Sequence, residues 1–240
     1  MDKINFKNKV ILVIGAHPDD NDFGSAGTSA KAAKEGAKVF YLIATKGQRG
    51  GSGKKLTSEK LARIRDKEQQ AAAKVLGVKK VHFLDFFDGE LVADLKLKEQ
   101  IVIFIRKYKP DYVFTMDPSR FYYKNFGFIN HSDHRAVGEA ALDACYPLAR
   151  DLLSFPEHQK MGLKPHKVRE IFLSSFSPEE ANYFVDITKT LPQKIKALSK
   201  HRSQFPDFKP VRKRITERAV AIGKKAGVKY AEGFIRLKLR

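Results

Sequence analysis

The sequence predicts an α/β fold, a Rossmann-like, mostly parallel sheet with helices on both faces, in a single domain. Three observations predict it. Val10-Ile11-Leu12-Val13-Ile14 is an unbroken run of branched aliphatics, and a strand without polar alternation is covered on both faces, as central strands of parallel sheets are. Short apolar runs then alternate with amphipathic helical segments along the chain, which is the pattern of βαβ units. Finally, 240 residues with 42% hydrophobic and 30% charged side chains and no low-complexity tract suit one folded domain spanning 1–240.

The first strand leads into Gly15-Ala16-His17-Pro18-Asp19-Asp20. A histidine and two carboxylates therefore stand at the carboxyl edge of the sheet, where open α/β sheets bind ligands, and Pro18 fixes φ in the turn. Small residues from Phe23 to Glu35 suit a helix packed close to the sheet, with Gly36 ending it. Val39 to Ala44 is the second strand, opening into the glycine-rich Thr45 to Lys54. A Walker loop needs G-x-x-x-x-G-K-[ST], but counting back from Gly53-Lys54 puts Gln48 at the first glycine, and Lys55 replaces the hydroxyl. A mobile, substrate-facing loop is the better reading.

Ser58 as N-cap leads a helix from Glu59 to Leu76, amphipathic through Leu61, Ile64, Ala71, Ala72, Val75 and Leu76 and closed by Gly77. Strand Val81 to Leu84, acidic loop Asp85 to Asp94, helix Lys96 to Lys107 and strand Asp111 to Met116 repeat the unit. Asp117 to Asn130, rich in aromatics at Phe121-Tyr122-Tyr123 and Phe126-Gly127-Phe128, is long enough to imply function. It delivers the chain to His131-Ser132-Asp133-His134 and a helix from Arg135 to Ala149. A strand at Glu170 to Phe176, an extended piece at Tyr183 to Ile187, a helix at Lys189 to His201, a basic helix near Ile215 to Lys225 and a final segment Tyr230 to Leu239 complete the chain.

Composition limits partners and compartment. Lys and Arg number 46 against 27 Asp and Glu, for a formal net charge of +19, which attracts anions in general. The basic residues are scattered (Lys79-Lys80, Arg212-Lys213-Arg214, Lys224-Lys225) and not interleaved with aromatics, so a solvated surface is expected and nucleic acid is not. No run approaches the roughly 20 apolar residues of a transmembrane helix, and the N-terminus lacks the apolar core of a signal peptide, so the expected compartment is the cytoplasm. The single cysteine, Cys145, lies in an alanine-rich helical stretch and reads as a buried structural thiol.

His17, Asp20, His131 and His134, at two strand ends, make a divalent-metal site of nitrogen and oxygen donors, and three of them suffice for a catalytic ion that keeps a position for water. Zinc is the expected ion, with Fe2+ and Co2+ compatible with the same donors. Asp19, aimed at the water, has the chemistry of a general base. Taken singly, each residue has a plainer use, Asp19 and Asp20 as helix caps and the histidines as ordinary core or surface groups. Their joint placement at two βα junctions favours the metal site.

Ala16-His17-Pro18-Asp19-Asp20, then Gly27-Thr28, then His131-Ser132-Asp133-His134-Arg135-Ala136-Val137-Gly138 resemble the PIG-L/LmbE-type zinc-dependent N-deacetylases, which hydrolyse the acetamide of N-acetylglucosamine conjugates. Arg65-Asp66-Lys67-Glu68, Phe83-Leu84-Asp85 with Asp88-Gly89, Lys109-Pro110-Asp111 with Asp117-Pro118, His201-Arg202-Ser203-Gln204 and Ala231-Glu232-Gly233-Phe234 extend the resemblance over nearly the whole chain. It implies that His17, Asp20 and His134 hold zinc, that Asp19 is the base, and that His131 polarises the carbonyl or protonates the leaving amine. Asp133 would orient a histidine, with an N-cap role as its alternative. Arg65, Asp88 and His201 carry over as sugar contacts, against the alternative of surface polar groups. One departure stands out: family members follow the two aspartates with glutamate, and here Asn21 and then Asp22 stand there. The expected partner is a small N-acetylated amino-sugar conjugate. A metal-dependent amidase on a non-sugar acyl amide and a basic, non-enzymatic nucleic-acid- or anion-binding protein are the rival readings. The aromatic stretch suits either a wall against a sugar ring or a subunit contact in a homo-oligomer.

Overall fold

Val10–Gly15 forms β1, an interior strand buried at every position after Val10. The computed structural model describes residues 4–51, 56–124, 127–174 and 179–239; Gly53-Lys54-Lys55 of the glycine-rich loop, Asn125-Phe126, and the end of the strand expected at Glu170 to Phe176 lie outside them. After β1 come α1 (Asp20–Lys34), β2 (Lys38–Thr45), α2 (Ser58–Leu76), β3 (Lys80–Phe86), α3 (Leu95–Tyr108) and β4 (Tyr112–Met116). A two-residue-per-strand hairpin, β5 (Tyr122–Tyr123) and β6 (Phe128–Ile129), precedes α4 (Ser132–Asp143), β7 (Glu170–Ser174), β8 (Tyr183–Asp186), α5 (Leu191–Leu198), α6 (Lys209–Ala226) and β9 (Ala231–Lys238).

The main sheet has the order β3-β2-β1-β4-β7-β9-β8. β3, β2, β1, β4 and β7 are mutually parallel, and β9 runs antiparallel to both β7 and β8. The expected α/β class and mostly parallel sheet are what the structure shows. Strand order reverses between β1 and β4, and a crevice at the carboxyl ends of the strands follows from that reversal.

The missing alternation in β1 has a simple cause. Ile11 and Val13 enter one core with Ala26 and Ala30 of α1, Ala72 and Leu76 of α2, Leu198 of α5 and Ile215 of α6. Leu12 and Ile14 enter the opposite core with Leu97, Ile101 and Ile105 of α3 and Val137 and Ala140 of α4. Each such fully buried aliphatic side chain contributes about 1.5–3 kcal/mol, so both faces of β1 must be apolar. Cys145 is buried in the second core, and burial pushes its thiol pKa up. Among the described residues no helix is long and apolar enough to cross a membrane.

Several boundaries differ from the sequence expectation. α1 starts at Asp20, three residues before Phe23, because Asp19 takes a left-handed conformation (φ 90°) that turns the chain directly into the helix. The cap of α2 is Thr57, whose hydroxyl accepts from the Lys60 N–H, and not Ser58. α4 starts at Ser132, and past Asp143 it becomes a π-turn broken at Tyr146, before Pro147. α6 begins at Lys209 and α5 is confined to Leu191–Leu198. Gly138 is required where α4 crosses β4, since a Cβ there would lie 2.5 Å from the Met116 carbonyl oxygen.

α1 is also broken, at Ser25 (φ −144°). The break frees the Gly27 and Thr28 amides, and the buried carboxylate of Glu232 accepts both, at 3.0 and 2.7 Å. Lys194 Nζ balances that carboxylate at 2.6 Å and also donates to the Phe23 carbonyl. One buried ion pair thus joins α1, α5 and β9. Removing one partner of a buried pair leaves an uncompensated charge and costs about 3–5 kcal/mol. Glu232→Ala is therefore expected to lower the free energy of unfolding, read by chemical denaturation, by that amount, whereas Lys31→Ala, which breaks a partly exposed pair with Glu35, is expected to change it by less than about 1 kcal/mol.

Candidate metal-dependent active site

The turn after β1 is built by its own carboxylate. Asp20 Oδ2 accepts from the Ala16 and His17 amides at 3.1 and 2.7 Å, closing the chain on itself and leaving the His17 ring over the crevice. The same Asp20 faces His17 Nδ1 at 3.3 Å and, through Oδ1, His134 Nε2 at 3.2 Å. Ligand atoms of His17, Asp20 and His134 all lie within 4.8 Å of one another. The two motifs, more than a hundred residues apart, therefore meet.

The other nitrogen of His17 is equally well occupied. Nε2 lies 3.0 Å from Asp133 Oδ2 and 3.1 Å from Asp88 Oδ1. Asp133 is fully buried and accepts from the Gly89 and Leu91 amides at 2.7 and 3.3 Å, while Asp88 accepts from the Arg49 amide at 3.0 Å. A histidine that donates one ring N–H to a carboxylate presents its other nitrogen to a metal as a fixed, more basic ligand. A second donor group, His17 with Asp88 and His131, also lies within 4.8 Å, but it would use the His17 nitrogen that already faces two carboxylates. The chemistry of the donors fits a divalent ion at His17, Asp20 and His134.

Electrostatics agree with that fit. Burial alone would lower the His17 pKa, but Asp133, Asp20 and Asp88 outweigh it and raise it to about 12. Burial works against ionisation of Asp20 as well, yet His134 and His17 hold its pKa well below the usual carboxylate range. Three carboxylates around one imidazole make a strongly cation-seeking point. His131 behaves differently: burial, then the neighbouring His17 and His134, push its pKa down. It is the N-cap of α4, with Nδ1 accepting the Asp133 amide at 3.1 Å, so Asp133 is not the cap.

Asp19 bonds no helix amide through its side chain, which removes the capping reading for it. Its carboxylate lies 3.6 Å from Arg65. Burial, reinforced by Asp20 and opposed by Arg65, His201 and His17, raises its pKa to about 6.

The family of GlcNAc-PI de-N-acetylases, PIG-L, matches residues 12–145 of this chain. A diacetylchitobiose deacetylase of Thermococcus kodakarensis is 34% identical over 234 residues, 94% of this chain and 82% of that protein. The chain belongs to the PIG-L family. A solved structure, N,N'-diacetylchitobiose deacetylase from Pyrococcus horikoshii complexed with its inhibitor MPG, is 34% identical with a TM-score of 0.87, over 96% of this chain and 84% of that one. A 1D-myo-inositol 2-acetamido-2-deoxy-alpha-D-glucopyranoside deacetylase of Rhodococcus erythropolis is 27% identical over 82% of this chain and 81% of its own length. PIG-L deacetylases are metal-dependent hydrolases. GalB, a 4-carboxy-2-hydroxymuconate hydratase of Pseudomonas putida KT2440, shares the fold alone, at 23% identity and a TM-score of 0.76.

The residues assigned by resemblance as PIG-L sugar contacts lie inside the protein, not on its surface. Arg65, 4% exposed, donates to the Gly47 and Pro18 carbonyls. Asp88 backs His17. His201, 0% exposed, lies 2.7 Å from Asp22 through Nε2. Where PIG-L members carry a third acid, the Asn21 amide donates instead to the Val13 carbonyl at 3.3 Å, and Asp22, one place on, takes His201 and Gln69. Gln69 escaped the sequence reading, and so did the partner of Asp88. The signal for Gln69 was its place, with Arg65, on the inner stripe Leu61, Arg65, Gln69, Ala72, Leu76 of α2, where polar residues need a reason. Asp133→Asn is expected to keep the fold and weaken metal affinity about 10- to 100-fold, read by competition with a chromogenic chelator.

Proposed function

We propose that the whole chain is one zinc-dependent deacetylase domain that removes the acetyl group from an N-acetylglucosamine unit of a small conjugate, releasing acetate and a free amine. The observation that carries this reading is the convergence of His17, Asp20 and His134 on one point, with Asp19 beside it in a partly exposed position. The identity with diacetylchitobiose deacetylases supports an N-acetylated glucosamine disaccharide as the first substrate to test.

A zinc ion held by His17, Asp20 and His134 would supply Lewis acidity to the attacking water and to the acyl oxygen. Asp19 takes the proton from that water as its oxygen bonds to the acetyl carbon, a role for which a carboxylate pKa of about 6 is well matched near neutral pH. His131 has its lone pair on Nδ1, because the Asp133 amide donates there, so its neutral ring carries the proton on Nε2. Its lowered pKa favours that neutral form. His131 thus serves as a hydrogen-bond donor to the oxygen that gains negative charge in the tetrahedral transition state. The C–N bond then breaks, and the proton held by Asp19 passes to the amine. Asp88 and Asp133 contact His17 and fix its ring.

Assay of acetate and free amine from N,N'-diacetylchitobiose and a panel of N-acetylglucosaminides tests the reading, and a zinc-loaded protein inert on all of them overturns it. Asp19→Ala is expected to retain zinc while kcat falls about 100- to 10,000-fold; full activity in that variant overturns the base assignment. Dialysis against a chelator is expected to abolish turnover, and added Zn2+ to restore it, with elemental analysis reading the ion.

A further inference from the structure

We infer that Gln69 is a positioning residue that holds the candidate base in its working orientation, by gripping one peptide plane jointly with Arg65. The inference rests on the reading of Asp19 as the base. Asp19 is a non-glycine residue at φ 90°, a conformation that side-chain-bearing residues rarely adopt and that persists only where the surroundings impose it. Two groups impose it here. The Asp19 amide donates to Gln69 Oε1 at 2.8 Å, and the Pro18 carbonyl, on the opposite edge of the same peptide plane, accepts from Arg65 Nη2 at 2.7 Å. Arg65 and Gln69 are four residues apart on α2, hence one above the other on one helical face. A plane held on both edges resists rotation, so the φ of Asp19, and with it the direction of the Cα–Cβ bond from which its carboxylate extends, is set from α2.

The Gln69 amide is itself prevented from flipping. Its Nε2 donates to Asp22 Oδ2 at 3.1 Å, and the same oxygen lies 2.7 Å from His201 Nε2. Gln69, Asp22 and His201 are all 0% exposed. If position 69 served only to pack α2 on the sheet, an apolar side chain would do so without polar partners to satisfy. The buried relay His201, Asp22, Gln69, Asp19 runs instead from α5's end to the residue beside the metal ligands.

Gln69→Met, close in length but without donor or acceptor, tests the inference, with Gln69→Ala as a second variant. Three quantities are read: kcat and KM per bound zinc, zinc stoichiometry, and hydrogen exchange at the Asp19 amide. In Gln69→Met kcat is expected to fall about 10- to 100-fold, the scale of a misplaced catalytic group. KM should stay within about twofold and zinc stoichiometry at the wild-type value, because the group lost acts on the base and not on the ligands. Exchange at Asp19 should accelerate in both variants. Wild-type kcat in Gln69→Met overturns the inference, as does a loss of activity that merely follows zinc loss, and unchanged exchange at Asp19 overturns the clamp whatever the activity. Full activity in Asp19→Ala would instead defeat the base assignment of the preceding section, and faster exchange at Asp19 in Gln69→Met would still stand.

Discussion

The imidazole of His17 joins its own turn to two parts of the chain that nothing local would bring to it. Its Nδ1 faces Asp20 at the start of α1, while its Nε2 faces Asp133 in the first turn of α4 and Asp88 in the loop after β3. Removing three carboxylates from water is costly unless positive charge answers them. A cation bound at this point would do two things at once. It would supply chemistry, and it would tie the ends of β1 and β3 and the start of α4 into a single unit.

The scaffold around that point leaves little freedom. Gly138 lets α4 lie against the backbone of β4, which fixes the helix that carries His134. Glu232 repairs the break in α1, so the helix that starts at Asp20 holds its line despite Ser25. The described half of the glycine-rich loop is tied as well: Thr45 bonds the Ala16 carbonyl, Arg65 the Gly47 carbonyl and Arg49 the Asp88 carboxylate. The fold does not dictate the reaction. A hydratase shares it, so the chemistry resides in the side chains placed at the carboxyl edge of the sheet.

What was legible in the sequence follows from the range of the interactions involved. β1 was plain because burial on both faces removes alternation, a property of five adjacent residues. The residues of the candidate metal site were legible as a group because two compact motifs carry them, and the topology that joins the motifs follows from βαβ alternation. The start of α1 was misplaced because the left-handed turn at Asp19 occurs at a non-glycine residue, where no composition signal marks it. The sequence puts the buried stripe of α2 at Leu61, Ile64, Ala71, Ala72, Val75 and Leu76; the structure buries Leu61, Ala72 and Leu76 and packs Val75 on the core, but it leaves Ala71 exposed and turns Arg65 and Gln69 inward. Hydrophobic periodicity cannot anticipate a helix that spends two core positions on hydrogen bonds to a distant turn. Asp88 was legible as polar and its partnership with His17 was not, for the same reason.

The excess of basic residues and the acidic site belong to different electrostatic regimes. Arg212, Lys213, Arg214, Lys224 and Lys225 of α6 are exposed, and their field is screened over roughly 8–10 Å at physiological salt. Asp20, Asp88 and Asp133 act at hydrogen-bond distances inside the protein, where water does not intervene and attraction is several times stronger. A chain with a net charge of +19 thus still presents a cation-seeking point at its centre, because attraction there is set by three neighbours and not by the sum over the surface. Net charge governs how the molecule meets other charged bodies. Three carboxylates at contact distance govern what it holds.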